Sequence, residues 1–573
     1  MTLTGWLIFF AVIQVIHAAC TWKMYVAAGR QAWEAAVPVY NAIILMKIIN
    51  RPWWWVILLF APIVNLIMIP VTWVETLRSF GFNSNKDTFL VLLTFGLYLG
   101  YINYTQELKH IPERDLRPRT KTGEWVSSIL FAVVAATMVH TYFMQPYTIP
   151  TGSLEKTLLI GDYLFVSKFH YGARAPMTAV TFPMVHDKLP LLDKKSYVKD
   201  WQYPYMRLPG FQDIKRNDIV VFGWPVDTLV DINNPYGAVD IKPMDKKTNY
   251  VKRCVGIPGD SLELKDGHVF INGAQNVLPD RAKLQFHYTV DVTGNPGPIV
   301  NKYDLDVSGA YQPYYTMSKS LWNDSRVQQY LNNPGTGTLY LVDEVDSLTV
   351  EVSGFTTEKF ITDMKLQKVQ NKINFNLTEE QAAQLAQDPA ISSVTLYQQP
   401  KTGDLFPQHP AYDWDTNNFG PIYIPKAGET VAIDAMSIPF YKRIIEVYEG
   451  SELGIENKIS QAGTQVLLNG QPITEYTFIQ DYYWMMGDNR NNSQDARSWG
   501  FVPFNHVVGK PVFIWMSLDQ NGSFPSNIRW DRVFTTVGGD GEPVSYFKYF
   551  LIALVGWFGF NYFRKRKKGK KTA

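Results

Sequence analysis

The chain has 573 residues with a formal net charge of +2, and 18% of its residues are charged while 14% are aromatic. The length predicts several structural units, and the nearly balanced charge argues against nucleic acid or another polyanion as partner. The two cysteines, Cys20 and Cys254, exclude a disulfide framework, and we expect no bridge between them. Few charges and many aromatic residues favour a membrane protein with a folded part outside the bilayer.

The first 145 residues hold most of the apolar stretches and are predicted to form a membrane domain. A helix that spans a bilayer takes about 20 apolar residues, and four stretches qualify, at residues 4–22, 53–73, 88–104 and 125–145. Residues 32–49 are apolar but interrupted by Glu34, Pro38 and Asn41, which favours an interfacial or re-entrant helix. A cleaved signal peptide is the alternative for the first stretch, but no Lys or Arg precedes it.

Directly after the fourth predicted span comes the motif TIPTGSLEKTL, at residues 148–158. Pro150 and Gly152 flank Thr151, and because proline fixes φ and glycine permits unusual φ, we expect Ser153 on a tight turn. A serine hydroxyl becomes a nucleophile only when a base removes its proton. Without such a base, the motif is a polar turn beside the membrane.

A second motif, YVKRCVGIPGD at residues 250–260, supplies a candidate base. Its β-branched and aromatic residues predict a strand that ends at a Pro-Gly turn. Lys252 and Arg253 are adjacent, so on a strand their side chains point to opposite faces. The pKa of a free lysine is about 10.4, and it must fall by roughly 2–3 for a neutral amine, which apolar neighbours such as Val251 would cause by desolvation. An ordinary surface lysine is the alternative.

The region between residues 146 and 545 is predicted to be rich in β-strands, for example at 218–224, 339–342 and 348–352. A hairpin is predicted over 265–273, because Asp266-Gly267 suits a two-residue turn. A helix is predicted over 378–387, with Thr378 as its cap.

A third motif, MGDNRNNSQDARSWGFVP, occupies residues 486–503 and concentrates polar groups between apolar flanks. A calcium loop is the alternative for this motif. The spaced acids and the closing glutamate of an EF-hand are missing, which argues against it.

The chain ends with a fifth predicted span at residues 546–563 and a basic tail at 564–573 that contains RKRKKGKK. Basic residues mark the cytoplasmic ends of spans. Two further basic segments are the 23–52 loop and the loop with Arg114, Arg117, Arg119 and Lys121. If the tail is cytoplasmic and the five spans cross the membrane alternately, all three basic segments lie on the cytoplasmic side. The N-terminus and residues 146–545 are then predicted to lie outside the cytoplasm.

Two further blocks, GDYLFVSKFHYG at 161–172 and RNDIVVFGWP at 216–225, complete a set of five in a fixed order. In this set the chain resembles bacterial type I signal peptidase, the Ser/Lys leader peptidase. The resemblance implies a signal-peptidase-like, mainly β catalytic region at 146–273 and 426–545. Because that core needs far fewer residues between its second and third motifs, residues 274–425 are expected to form a large inserted lobe.

The resemblance also implies an activity. It is that of a multi-pass membrane serine endopeptidase that cleaves N-terminal signal peptides from exported preproteins, after small residues at −3 and −1. The expected location is the bacterial inner membrane, with the catalytic region on the periplasmic side. Signal peptides and the lipid bilayer are the implied partners, and no metal, cofactor or nucleic acid is expected.

Each matched residue takes its role from the resemblance. Ser153 is the implied nucleophile and Lys252 the general base, while the Ser153 amide and the Thr151 hydroxyl form the oxyanion hole. Ser493 orients the lysine amine. Structural support is implied for Asp488, Arg253, Asp495 and Arg497. The substrate pockets are implied at Ile149, Leu158, Val251 and Tyr250.

Three positions depart from the family pattern. Leu154 stands where methionine is usual, Lys156 where proline is common, and Asn491 where an acid is usual. None of them removes a catalytic group, but the lost charge at Asn491 is expected to alter how its loop is braced. Two other functions stay open: a catalytically inactive membrane-anchored export factor that binds leader segments, and a relative of self-cleaving Ser/Lys repressors. The chain shows no DNA-binding segment for the latter.

Overall fold

The computed structural model describes residues 2–118, 120–190, 192, 194–228, 239–306, 312–331, 337–397 and 404–569. Arg119, three short parts of the predicted lobe and residues 570–573 of the predicted tail therefore lie outside the described residues. The described chain has an N-terminal helical part, a β-rich part and a C-terminal helix, Phe547–Gly569.

Two helices among the described residues are long and apolar enough to cross a membrane. The first is Leu3–Ala27, which begins where the Thr2 side chain accepts a hydrogen bond from the Gly5 amide. The second is Lys121–Met138, which continues through a π-helical turn, Val139–Phe143. They confirm helices at the predicted spans 4–22 and 125–145.

The predicted spans 53–73 and 88–104 are wrong as continuous helices, because each is divided in two. The first consists of Trp55–Phe60 and Asn65–Ser79. Pro62 lies in the gap, where it cannot donate the amide hydrogen bond that a helix needs. The second consists of Asn85–Leu93 and Tyr98–Thr105.

Glycine has a steric role in the second gap. Gly96 has a φ of +87°, and a Cβ there would lie 2.7 Å from the Trp73 ring. Residues 32–49, predicted as one interfacial or re-entrant helix, form a 3₁₀-helix, Ala32–Ala35, and an α-helix, Tyr40–Ile48.

Buried charges join the loops of the helical part. Glu75, which is 6% exposed, forms ion pairs with Arg51 at 2.9 Å and with Arg114. Arg51 and Arg114 belong to the two N-terminal basic segments, so these segments meet at the same end of the helical part.

An antiparallel central sheet organises the β-rich part. Its strands lie in the spatial order Met144–Thr148, Asp162–Ser167, Val507–Ser517, Ile219–Gly223, Asn249–Gly256, Tyr482–Met486 and Val502–Pro503. A short strand, Thr535–Thr536, also pairs with Val507–Ser517. Ile219–Gly223 is buried along its whole length, as expected for a β-branched and aromatic run at the centre of a sheet.

The predicted hairpin is confirmed as Ser261–Lys265 and His268–Ile271. Asp266 and Gly267 have φ values of 50° and 79°, as a two-residue turn of this kind requires. The hairpin belongs to a sheet ordered Phe419–Tyr423, Ser261–Lys265, His268–Ile271, Ala274–Gln275.

This pairing corrects the boundaries predicted for the inserted lobe. Ala274–Gln275 and Phe419–Tyr423 pair with the hairpin, and Phe419 and Ile422 pack in the same core as Val220 and Trp484. The inserted lobe therefore comprises residues 285–396.

Two small sheets form the inserted lobe. One is ordered Lys372–Thr378, Gln285–Val292, Ile391–Leu396, and the other Gly337–Glu344, Thr349–Thr356, Tyr314–Ser318, Gln367–Val369. Its helices are Gly297–Tyr303, Lys319–Trp322, Ser325–Leu331, Glu358–Asp363 and Glu379–Leu385. The last confirms the helix predicted over 378–387, with Thr378 and Gln381 forming a capping box.

The remaining elements flank the central sheet. The strands are Thr430–Ala432 with Glu475–Thr477, and Ile459–Ala462, Gln465–Leu468 and Gln471–Ile473. The helices are Ile438–Arg443, which continues as the π-helix Ile444–Tyr448, and Ala496–Trp499. Short 3₁₀-helices occur at Gly152–Leu154, Met244–Lys246, Ser451–Leu453, Arg490–Asn492 and Phe504–His506.

Candidate active site

The serine of the first motif lies where the apolar helix Lys121–Met138 and its π-helical turn pass into the central sheet. The strand Met144–Thr148 ends at Ile149, whose amide donates to the Asp162 carbonyl at 2.9 Å. The chain then turns into the 3₁₀-helix Gly152–Leu154, in which Ser153 is 6% exposed. As a residue in the first turn of a helix, Ser153 has an amide without an intrahelical acceptor.

The lysine of the second motif reaches this serine. Lys252 Nζ lies 2.5 Å from Ser153 Oγ, and Lys252 is only 3% exposed. Burial lowers the pKa of Lys252 to about 8, against an opposing effect of the Asp495 carboxylate. The nearby positive charge of Arg497 acts in the same direction as burial. The pair thus combines a hydroxyl with an amine that is partly neutral near neutral pH.

The neighbouring arginine serves the opposite face of the strand, as predicted from the alternation of side chains. Arg253 donates from Nε to Asp488 Oδ1 and from Nη2 to Asp488 Oδ2, both at 2.7 Å. Thr157 Oγ1 also donates to Asp488 Oδ2 at 2.7 Å. Asp488 therefore links the lysine strand to the turn that follows the serine.

A second buried ion pair holds the loop of the third motif, residues 487–497. Asp495 accepts from Arg497 Nε and Nη2, each at 2.9 Å, and from the Gly487 amide at 3.1 Å. Gly487 permits a close approach, because a Cβ there would lie 2.5 Å from the Ser153 carbonyl oxygen. The loop can therefore lie directly against the serine turn.

Asn489 makes two contacts that the sequence reasoning did not identify. Its amide donates to the Ser153 carbonyl at 3.1 Å, and its Nδ2 donates to the Gly152 carbonyl at 3.0 Å. Asn489 is 1% exposed. Its place in the motif GDNR, beside Asp488, is the signal that could have indicated this role.

Several curated relatives align with large parts of the chain. Signal peptidase I of Buchnera aphidicola (subsp. Schizaphis graminum) is 23% identical over 409 residues, which are 71% of this chain and 80% of that protein. Signal peptidase I of Haemophilus influenzae is 20% identical over 433 residues, 74% of this chain and 78% of that protein. Signal peptidase I P of Bacillus subtilis subsp. natto is 25% identical over 190 residues, 33% of this chain and 72% of that protein.

The family described as "Signal peptidase, peptidase S26" matches residues 122–297 and 427–516. Over these two segments the chain is similar to this signal peptidase family. The matched segments include the buried Ser153–Lys252 pair and the 487–497 loop. The predicted family resemblance is confirmed, and the mainly β central sheet fits a signal peptidase fold.

A further family match covers residues 33–113 and is described as a family of unknown function (DUF5684). It contains both divided helices, which suggests that they form a unit added to the signal peptidase core.

Three of the four residues expected to line the substrate pockets of the signal peptidase site lie together. Ile149 and Leu158 are 3% and 1% exposed and share one apolar cluster with Leu154, against which the half-buried Val251 packs. The Tyr250 ring centre lies 5.7 Å from Lys252 Nζ.

The side chains of Ser493 and Thr151 do not make the hydrogen bonds that would show their implied roles directly. Ser493 Oγ finds no partner among the described residues, so the expected bond to the Lys252 amine is not formed in this structure. Lys252 Nζ contacts Ser153 Oγ. Thr151 has extended backbone angles, φ −132° and ψ 154°, and is exposed, and its side chain makes no capping hydrogen bond.

The inserted lobe contacts the 487–497 loop directly. The Gln285 amide donates to the Asp488 carbonyl at 2.9 Å, and the His287 amide donates to Asn491 Oδ1 at 2.9 Å. The amide oxygen of Asn491 thus braces the loop without the charge usual at this position in signal peptidases.

A cleft of about 930 Å³ opens beside the segment that follows the serine. Lys156 and Leu158 line one side, and Arg281 and the lobe residue Glu379 line others. Ser153 and Lys252 do not line it, so the reactive pair lies outside this cleft.

Proposed function

We propose that this chain removes N-terminal signal peptides from exported preproteins, with Ser153 as nucleophile and Lys252 as general base. The observation that carries the proposal is the 2.5 Å contact between the buried Lys252 Nζ and Ser153 Oγ. A lysine with a pKa of about 8 is neutral in roughly a tenth of molecules at pH 7, and only the neutral amine can accept a proton.

In the proposed acylation step, the neutral Lys252 amine accepts the hydroxyl proton while Ser153 Oγ bonds to the carbonyl carbon of the scissile peptide. The electron pair of the carbonyl passes to its oxygen, which the Ser153 amide and the Thr151 hydroxyl stabilise. As the C–N bond breaks, the Lys252 ammonium returns the proton to the leaving amine. The mature protein leaves, and the signal peptide remains as an ester on Ser153.

Deacylation repeats these transfers with water as the nucleophile. Lys252 accepts a proton from the water while the water oxygen bonds to the ester carbon. Ser153 Oγ then takes this proton from the Lys252 ammonium as the ester bond breaks. Ser153 and Lys252 are the only groups of the enzyme that exchange protons in this cycle, so the enzyme returns to its starting state.

Small residues at −3 and −1 of the substrate suit the proposed pockets. Ile149 and Leu158 are almost fully buried, so little space remains beyond their side chains for a large substrate residue. Apolar pockets of this kind match the small residues that precede signal-peptide cleavage sites.

Two contacts support an arrangement with the N-terminus and the catalytic region on the outer side of the membrane. The Trp6 ring lies 4.4 Å from that of Tyr203, and Trp6 Nε1 donates to the Gln202 carbonyl at 2.7 Å. The beginning of the first helix therefore lies beside the catalytic region. Glu75 follows the divided stretch 53–73 and pairs with Arg51, which precedes it, and with Arg114. This stretch therefore returns to the side of the basic segments proposed to be cytoplasmic and does not cross as one of five alternating spans.

Incubation of a preprotein with the purified chain tests the proposed function. Wild type should release the signal peptide, and Ser153→Ala should not, while Lys265→Ala, a change at an exposed lysine on a neighbouring strand, should cleave normally. If the chain were an inactive export factor, wild type and both variants would bind the leader segment without cutting it.

A protease added to intact spheroplasts tests the orientation separately. It should digest the catalytic region and spare a tag placed after Ala573. Digestion of the tag with protection of the catalytic region would contradict the proposed topology.

A further inference from the structure

A second cavity, of about 160 Å³, lies where the membrane helices meet the central sheet. From the helical part, Thr137, His140 and Thr141 line it, together with Ile63 in the gap of the first divided helix. From the β-rich part, its charged lining residues are Lys168, Arg174, Asp245 and Lys246. The cavity is therefore walled by both the membrane helix and the catalytic region.

Positive charge dominates this cavity. Lys168, Arg174 and Lys246 oppose one carboxylate, and none of the three forms an ion pair with a carboxylate of the described residues. Arg174 donates to the Asn505 carbonyl at 2.9 Å, and Lys246 Nζ donates to Thr181 Oγ1 at 2.8 Å.

The one carboxylate of the cavity is already engaged. Asp245 Oδ2 accepts from the Met177 and Thr178 amides at 3.0 and 2.9 Å, and its Oδ1 accepts from Thr178 Oγ1 at 2.8 Å. The Asp245 carboxylate is therefore hydrogen-bonded to residues 177 and 178. With three cations and this one carboxylate, the cavity has an excess of positive charge.

Lys168 shows the consequence of that excess. Its ammonium makes no hydrogen bond with any described residue and lies 5.8 Å from the centre of the Tyr147 ring. Burial and the charges of Arg174 and Arg207 lower the pKa of Lys168 to about 7. An anion placed among these groups would offset both effects.

An unpaired hydroxyl points to a ligand independently of the charges. Thr137 is 2% exposed, lines the cavity, and its Oγ1 has no hydrogen-bond partner among the described residues. A buried hydroxyl without a partner is unfavourable, and an acceptor oxygen within the cavity would satisfy it.

Exposed apolar side chains lie beside the cavity. Phe182 and Met184 also line it, and they are 59% and 55% exposed. The same segment of chain continues with further exposed apolar side chains, Leu192, Val198, Trp201, Met206, Leu208 and Phe211. Trp201 packs against Phe9 of the first membrane helix, with ring centres 6.3 Å apart.

We propose that this cavity binds the phosphate of an anionic phospholipid headgroup and so docks the catalytic region on the outer membrane surface. The cations and the Thr137 hydroxyl would hold the phosphate oxygens, and the exposed Phe182 and Met184 would contact the beginning of the acyl chains. Basic pockets beside membrane helices bind lipid headgroups in this way. The proposal requires the membrane helices, but not the cleavage reaction.

Binding of lipid to the full chain in detergent tests the proposal without using activity. Short-chain phosphatidylglycerol should bind to wild type and raise its melting temperature, whereas short-chain phosphatidylcholine, which has no net charge, should do so far less. Removing two cations should weaken phosphatidylglycerol binding roughly 30-fold, at about 1 kcal/mol for each charge. The variant for this is Lys168→Gln with Arg174→Gln.

Matched variants separate loss of the site from loss of the fold. Lys168→Arg keeps the charge and should keep phosphatidylglycerol binding. Lys199→Gln removes an exposed lysine from the same segment and should bind like wild type. Equal binding by wild type and the double variant would overturn the proposal, and so would loss of binding in Lys199→Gln to the same extent as in the double variant.

Inorganic phosphate distinguishes the source of the anion. If the cavity serves a lipid, inorganic phosphate should bind much more weakly than phosphatidylglycerol. Phosphate that binds as tightly as phosphatidylglycerol, with phosphatidylglycerol affinity independent of its acyl chains, would instead assign the cavity to a free anion and overturn the lipid assignment.

Discussion

Arg253 holds both carboxylate oxygens of Asp488 at 2.7 Å, and both residues are at most 2% exposed. Arg253 is the residue next to the proposed base Lys252, and Asp488 accepts a further bond from Thr157, four residues after the proposed nucleophile. A single buried ion pair therefore fixes the strand of the base relative to the turn of the nucleophile.

Replacing Asp488 with alanine should destabilise the protein strongly. The change leaves the Arg253 guanidinium buried without its counter-charge, and breaking such a pair costs about 3–5 kcal/mol. Denaturant unfolding of the full chain in detergent would measure the loss. Asp531→Ala, at an exposed carboxylate, should change the free energy of unfolding by less than about 0.5 kcal/mol. Equal stabilities of the two variants would contradict this role.

The same pair predicts how stability depends on acid. Burial alone would raise the pKa of Asp488, but the charge and hydrogen bonds of Arg253 outweigh it and lower the pKa below the ordinary value. A carboxyl with a lowered folded-state pKa contributes stability at pH values above its unfolded pKa of about 3.9, and that contribution is lost as the pH falls through the folded-state pKa. The acid-induced loss of stability below about pH 4 should therefore be smaller in Asp488→Asn than in wild type.

Activity should rise with pH through the titration of Lys252. The protonated amine cannot act as a base, so kcat/KM should fall about tenfold per pH unit below the pKa of Lys252, which burial lowers to about 8. A pH profile of kcat/KM on a peptide substrate would measure the midpoint. A midpoint near 10.4, the value of a free lysine, would contradict desolvation as the source of the base.

Local patterns predicted the parts of the fold that depend on neighbours in sequence. The turn at Asp266-Gly267 and the helix cap at Thr378 are confirmed because a few adjacent residues decide each of them. The alternation of side chains on a strand also separated Lys252 from Arg253 correctly. The order and content of the sequence motifs were sufficient to single out the two residues of the candidate dyad.

Contacts between distant segments could not be predicted in the same way. The strand Phe419–Tyr423 was assigned to the inserted lobe because nothing within it shows that it pairs with Ser261–Lys265. The division of the stretches 53–73 and 88–104 into two helices each could not be predicted, because hydropathy records apolar length but not backbone geometry. Gly96, which must lie against Trp73, is an ordinary apolar position in such an average.

At Asn491 the sequence shows that the usual acidic charge is missing, but it does not show the contact that replaces it. Asn491 Oδ1 accepts from the His287 amide, 204 residues away in sequence. Asn491→Ala should remove this bond, destabilise the loop by about 1 kcal/mol and lower kcat/KM. Asn491→Asp keeps an acceptor oxygen and should retain more activity than the alanine variant. Asn521→Ala, at an exposed asparagine, is the control. An alanine variant as active and stable as wild type would show that the Asn491 contact does not brace the loop.

Thr151 is the residue for which donor and shape can be separated by experiment. Its extended backbone and exposed, uncapped side chain leave the hydroxyl available to an oxyanion. Loss of one oxyanion donor typically lowers kcat by about 10²–10³. Thr151→Val keeps the shape and removes the donor, so kcat should fall with little change in KM, because the missing bond forms mainly in the transition state. Thr151→Ser keeps a hydroxyl and should retain most of the activity. If Val matched wild type and Ser were the poorer enzyme, the β-branched shape of Thr151 would be what matters, and the oxyanion would rest on the Ser153 amide alone.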